Sequence, residues 1–155
     1  MSELRTNRIV PRDGLPSGSS GGIIQVKQSL YNTHTVYTNT DFGALSGFTC
    51  AITPTRADSK ILITLNLCVE VRSASIICMQ LTRGGSSIFT NLGGMRGDGT
   101  AQGGYVSMTY LDSPASTSAL TYGVETKSSN STYAINNYIG SGPTNSFLTL
   151  MEVSG

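Results

Sequence analysis

Between residues 60 and 73 an aliphatic residue stands at every second position, placing Ile61, Ile63, Leu65, Leu67, Val69 and Val71 on one face of an extended segment. Six successive matches to a period of two predict a half-buried strand, because a helix would scatter the same residues around its circumference. Weaker runs with the same period lie on either side. Ile24, Val26 and Leu30 share a face, with Gln25, Lys27 and Ser29 opposite, and the polar run at Thr35, Val36 and Tyr37 predicts a short strand. Phe48, Cys50 and Ile52 alternate up to Pro54, and Ile77, Met79 and Leu81 alternate up to the Arg83-Gly84-Gly85 turn, followed by a short Ile88-Phe89 segment. Val106, Met108 and Tyr110 lead into Asp112-Ser113-Pro114, which is turn chemistry. Leu120, Tyr122 and Val124, then Tyr133 and Ile135, and finally residues 147–153 complete the series. No window carries the i, i+3, i+4 spacing of an amphipathic helix.

Eight or nine short strands with no helices to cover parallel edges predict an all-β fold, an antiparallel β-sandwich of jelly-roll type. Residues 91–104 are rich in glycine and lack an apolar period, so they read as a long surface loop. Residues 1–22 read differently from the rest. They contain Pro11 and Pro16, end in Ser17-Gly18-Ser19-Ser20-Gly21-Gly22, and carry only the spaced apolar residues Leu4, Ile9, Val10 and Leu15. Such a segment cannot continue a helix or a central strand. The predicted organisation is an extended N-terminal arm, residues 1–22, followed by a sandwich domain, residues 23–155.

The second face of the central strand is mixed: Leu62, Thr64, Asn66, Cys68, Glu70 and Arg72, with Ile76 and Cys78 continuing it on the next run. A mixed face of this kind suits a surface partly buried against copies of the same chain.

Composition narrows the function. The chain of 155 residues fits one domain. Ten Lys and Arg against nine Asp and Glu leave a net charge of +1, with 12% of residues charged. A nucleic-acid partner is therefore excluded, because phosphate neutralisation needs a basic surplus. The arm itself balances Arg5, Arg8 and Arg12 against Glu3 and Asp13. No apolar run approaches the length of a membrane span, and Glu3, Arg5 and Arg8 stand where a signal peptide would be apolar. Three cysteines without C-x-x-C spacing support neither a disulfide framework nor a zinc site. The expectation is a protein made in a reducing cytoplasm that binds neither membrane nor cofactor. Cys50 reads as a core thiol, while Cys68 and Cys78 point the other way on neighbouring strands, close enough to approach each other across a sheet or an interface.

Candidate chemistry is sparse. His34 is the sole histidine and sits in a Thr-rich stretch, with no G-x-S-x-G nucleophile sequence elsewhere. The carboxylates Asp41, Asp58, Glu70, Asp98, Asp112, Glu125 and Glu152 are scattered, with no spacing that pairs an acid with a base. The run from Gly93 to Gly99 matches neither the P-loop nor the dinucleotide fingerprint. Arg96-Gly97-Asp98 spells an adhesion tripeptide, and Asn130-Ser131-Thr132 a glycosylation sequon. Both are short enough to recur by chance and require a secretory route. A non-enzymatic protein is expected.

The opening from Ser2 to Pro16, with Gly21-Gly22-Ile23-Ile24-Gln25-Val26 after it, resembles the start of small structural proteins of tailed bacteriophages, especially those of cyanobacteria and marine bacteria. Ile52-Thr53-Pro54 leading into Ser59-Lys60-Ile61-Leu62-Ile63, then Tyr110-Leu111-Asp112-Ser113-Pro114, and the ending Leu148-Thr149-Leu150-Met151-Glu152-Val153 are similar too. The resemblance implies a trimeric β-sandwich with an extended arm, in either a capsid decoration (cement) protein or a tail-fibre protein. A fibre needs a shaft, and the sequence after the arm has neither heptads nor repeats. A cement protein needs a knob and an adhesive arm. The expectation is thus a homotrimer on the outside of the virion capsid. It would bind the major capsid protein of the same phage through Leu4, Arg5, Arg8, Ile9, Val10, Arg12 and Leu15. The alternative is a tail-associated protein that recognises a host-surface glycan through its loops.

Overall fold

The computed structural model describes residues 22–130, 132–137 and 144–154. The arm residues Leu4, Arg5, Arg8, Ile9, Val10, Arg12 and Leu15 lie outside the described residues, as does Ser131 of the sequon. Ten strands are present among them and no helix: β1 (Ile23–Tyr31), β2 (Thr35–Tyr37), β3 (Gly43–Ile52), β4 (Lys60–Val71), β5 (Ile76–Arg83), β6 (Ser86–Arg96), β7 (Gln102–Asp112), β8 (Leu120–Ser128), β9 (Tyr133–Ile135) and β10 (Ser146–Val153).

β4 pairs along its length with β7 on one side, and on the other with β10 near its start and β9 near its end. β10 pairs in turn with β1, and β9 with β2, all antiparallel. β1 and β2 therefore serve as two halves of one interrupted edge strand, and β10 and β9 as two halves of the next. The second sheet runs β3-β8-β5-β6, also antiparallel. With the halves merged, eight strands form two four-stranded sheets, ordered first-eighth-third-sixth and second-seventh-fourth-fifth. That is the jelly-roll arrangement expected from the sequence.

The two inner faces meet in one apolar core. Ile61, Ile63, Leu65, Leu67, Val69 and Val71 are all buried there, each contributing about 1.5–3 kcal/mol of gross burial energy. They face Phe48, Cys50 and Ile52 of β3, Ile77, Met79 and Leu81 of β5, and Tyr122 and Val124 of β8. Tyr31 stacks on Phe48 at 4.9 Å between ring centroids, tying the edge strand β1 to the opposite sheet.

Two expectations are corrected, and the buried side of β1, which the sequence left open, is fixed. In β1, Val26 and Leu30 point outward and are exposed. Their partners on β10 are Met151 and Phe147, whereas the core residues Leu148 and Leu150 pair with Ser29 and Lys27. The strand ends in Tyr31, which fills the core in their place, and a bulge between Ile23 and Gln25 shifts the register at its start. Residues 91–104 are mostly strand rather than loop, since β6 extends to Arg96 and β7 begins at Gln102. The glycines allow this: Gly94 lies so close to β5 that an added Cβ would sit 2.8 Å from the Ile77 carbonyl oxygen. Finally, Cys68 and Cys78 belong to different sheets and both point outward, so they lie on opposite sides of the sandwich. Their thiols donate separately to the carbonyls of Asn137 and Leu92.

The adhesion tripeptide is built into the scaffold. Gly97 is buried, its N–H donates to the Ser75 carbonyl, and an added Cβ would lie 2.4 Å from the Ser73 oxygen and 2.9 Å from a Val71 methyl. Gly97→Ala should therefore cost about 3 kcal/mol, the upper part of the overpacking range, seen as a lower urea midpoint with an unchanged slope. Gly93→Ala, whose Cβ meets nothing closer than 4.0 Å, should stay within about 0.5 kcal/mol of the parent.

Candidate interaction surface

The outer face of the β1–β10–β4–β7 sheet is built in rows, because the three registers bring like residues side by side. Val26, Met151, Leu62 and Leu111 are successive partners across the four strands and form an apolar row. The next row is Gln28, Thr149, Thr64 and Thr109, polar throughout. The third is Leu30, Phe147, Asn66 and Ser107, apolar over β1 and β10 and polar over β4 and β7. None of these twelve positions is charged. Val26 and Leu30 are each 53% exposed, Leu111 48% and Phe147 36%, so a substantial apolar area meets solvent here.

Between the rows lies a depression of about 330 Å³, whose lining includes Gln28, Thr64, Asn66, Thr109, Phe147 and Thr149. Gln28 donates from Nε2 to Thr149 Oγ1 at 2.9 Å. The surface can thus offer neutral amide and hydroxyl groups, backed by an aromatic ring, to a ligand or a neighbouring chain.

Further along β4 the outer face is closed by the chain itself. Asn136, in the left-handed region at φ 56°, donates from its N–H to the Cys68 carbonyl and from Nδ2 to the Tyr31 carbonyl. Its Oδ1 accepts from the Ser146 hydroxyl, which in turn accepts from the Cys68 N–H. Asn137 Nδ2 donates to Glu70, whose other oxygen accepts from Arg72 at 2.5 Å. Of the mixed face read from the sequence, Leu62, Thr64 and Asn66 are therefore available, whereas Cys68 and Glu70 are covered.

The opposite outer face, on β3-β8-β5-β6, has a different character. Gln80 donates to Glu125, Thr90 lies beside Gln80, and Lys127 sits 4.8 Å over the Phe42 ring. This surface carries charged side chains, Glu125 bonded to an amide and Lys127 over a ring, together with the exposed Leu92.

The buried carboxylates tie separate strands together. Asp112, at the end of β7, accepts from the Tyr122 hydroxyl at 2.6 Å and from Arg83 at 2.5 Å, and so ties the two sheets together at one end of the sandwich. Burial, together with Asp112, pushes the Tyr122 phenol well above its usual range. At the other end the Tyr133 hydroxyl donates to Asn39 Oδ1 and shares a hydrogen bond with Thr126, and Tyr133 stacks on Tyr37. Glu152 accepts from Gln25 Nε2 at 2.6 Å and from the Thr55 N–H and hydroxyl, each at 2.7 Å. Burial alone would raise its pKa, but the donors outweigh burial and hold it below the ordinary value.

His34 is exposed in the link between β1 and β2, with no side-chain hydrogen bond among the described residues. All three cysteines are free and buried, and burial pushes the Cys50 thiol up, away from a reactive thiolate. No group of three His, Cys, Asp or Glu side chains that could hold a metal occurs among the described residues. Sequence reasoning missed Asp112, Tyr122, Tyr133 and Glu152 as polar ties. The one sequence signal was a tyrosine or carboxylate at a core-facing position of an otherwise apolar alternation.

No family model matches the chain, and no curated protein matches its sequence. Among solved structures it is similar to the VP2 protein of infectious bursal disease virus, a D431N mutant forming derived T=1 particles. The two are 11% identical with a TM-score of 0.47 over 98% of this chain, which spans 41% of the VP2 chain.

Because its folded-state pKa is lowered, Glu152 contributes stability that is fully present above its unfolded value and is lost as pH falls through the folded one. Glu152→Gln should cost about 1–3 kcal/mol at pH 7. It should also flatten the decline in stability below about pH 4.3, read from urea midpoints across pH.

Proposed function

We propose that the chain is a non-enzymatic structural protein of a tailed-phage virion, a capsid decoration protein that reinforces the shell as a homotrimer. The observation that carries this reading is the three uncharged, half-apolar rows on the outer face of the β1–β10–β4–β7 sheet. An interface core is depleted in charge and holds apolar, aromatic and Met side chains, and this face carries Phe147 and Met151 with no charge in its three rows. The fold alone does not assign the role, because jelly rolls also serve as lectin and enzyme domains. The stretches resembling phage structural proteins supply the virion context. Residues 1–22 provide a tether with Leu4, Ile9, Val10 and Leu15 for apolar contact and Arg5, Arg8 and Arg12 for acidic groups on the major capsid protein. Three such arms on one trimer would act at high effective concentration.

A second reading is favoured by the depression on the same sheet. Neutral amide and hydroxyl side chains around an aromatic ring suit a glycan, as a tail-associated receptor-binding protein would require.

Purified full-length protein should sediment with capsids stripped of it and saturate at a fixed stoichiometry, whereas a 23–155 truncation should stay in the supernatant. Failure of both forms to bind would end the decoration reading. In solution, light scattering should give three times the chain mass. Binding to a glycan array, abolished by Asn66→Ala, would instead transfer the assignment to the tail.

A further inference from the structure

We infer that three copies of the chain close on this face. The outer sides of three β1–β10–β4–β7 sheets pack around a threefold axis parallel to their strands, with β7 of each copy beside β1 of the next. The inference rests on the trimeric reading above and names the contact which that reading leaves open.

Area decides the number of copies. Three rows on four strands make a patch of about 20 Å by 20 Å, or about 400 Å². Two copies meeting face to face bury about 800 Å² in total, the size of a crystal contact, whereas three bury about 1,200 Å², where stable interfaces begin. The faces also fit one another. Four strands at about 4.8 Å give each side of a triangular prism about 19 Å, which holds every sheet about 5.5 Å from the axis. That is half the spacing of about 10 Å at which sheets pack face to face, so the outward side chains fill the prism.

β7 is the edge that needs cover. Among the described residues it pairs only with β4, without a register shift, and from Gln102 to Leu111 it carries neither charge nor proline. Soluble proteins guard such an edge with Lys, Pro or a bulge. β1, at the other edge, runs opposite to β7, because each of the three successive pairings reverses direction. Rotation about an axis along the strands therefore sets β7 of one copy and β1 of the next side by side as antiparallel neighbours.

The rows then meet like with like. Leu111, 48% exposed, meets the next copy's Val26, 53% exposed, and Thr109 meets the next copy's Gln28. Hydroxyl and amide groups both donate and accept, so the same residue from three copies can pair around an axis, which identical charges cannot. Asn66 and Phe147 stand on the central strands β4 and β10, nearest the axis, where the depression beside them is closed. Gly22, held beside the end of β10 by the Ser154 N–H at 3.1 Å, lies at the same end of all three copies.

Light scattering on the full-length protein reads the contact. The parent should give three chain masses. Leu111→Glu should give one, and Thr109→Arg on the same edge should do likewise with the opposite charge. Both side chains are exposed, and unchanged far-UV circular dichroism shows that the fold is kept. Leu92→Glu, on the opposite sheet, should stay trimeric. Val26→Lys should also give one chain mass, and combining it with Leu111→Glu should restore three at low salt. The two positions lie about 14 Å apart within one chain, so rescue can arise only between copies. A trimer that survives both Leu111→Glu and Thr109→Arg overturns the inference and leaves the trimeric reading standing. A folded double variant that stays monomeric overturns the contact between β7 and β1. A parent of one or two chain masses overturns the trimeric reading itself, and glycan binding by that parent, lost in Asn66→Ala, assigns the face to a ligand instead.

Discussion

Burying one face of β4 is the constraint on which the rest of the molecule depends. Its six inward aliphatic side chains are all at most 1% exposed, and no single neighbouring strand could cover them. They require a second sheet, and the short turns between strands then dictate how the chain alternates between the two layers. β4 also needs partners on both edges, which β7 supplies on one side and the β10 and β9 halves on the other. Polar ties complete the closure. Asp112 with Tyr122 and Arg83 at one end, and Tyr133 with Thr126 and Asn39 at the other, each join one sheet to its partner. A buried carboxylate or phenol of this kind is costly when unpaired, so these contacts favour one alignment of the sheets over its alternatives.

The same constraint produces the unusual outer face. With β4 central, its outward residues Leu62, Thr64 and Asn66 are flanked on both sides, and the registers of β10 and β7 decide what stands beside each. Leu62 meets Met151 and Leu111, so three separate strands assemble one apolar strip that none carries alone. The opposite sheet shows what an ordinary hydrated surface looks like in this chain: Glu125, Gln80 and Lys127 are paired or lie over a ring. The contrast between the two faces is one of charge as much as of hydropathy.

How much of this could be read beforehand follows from the range of each interaction. The inward faces of β3, β4, β5, β7 and β8 were legible because alternation is local and each carries an apolar residue at every second position on that face. β1 was ambiguous, because its apolar positions Val26 and Leu30 also alternate, and period two identifies two faces without saying which is buried. Only pairing with β10, more than a hundred residues away, decides it. β6 was hidden by Gly93 and Gly94, whose lack of side chains removes the periodic signal while permitting close approach to β5. The placement of Cys68 and Cys78 on opposite sides depends on strand order, which no local pattern encodes. The interaction surface was glimpsed in the mixed second face of β4, but its rows exist only once three registers are known.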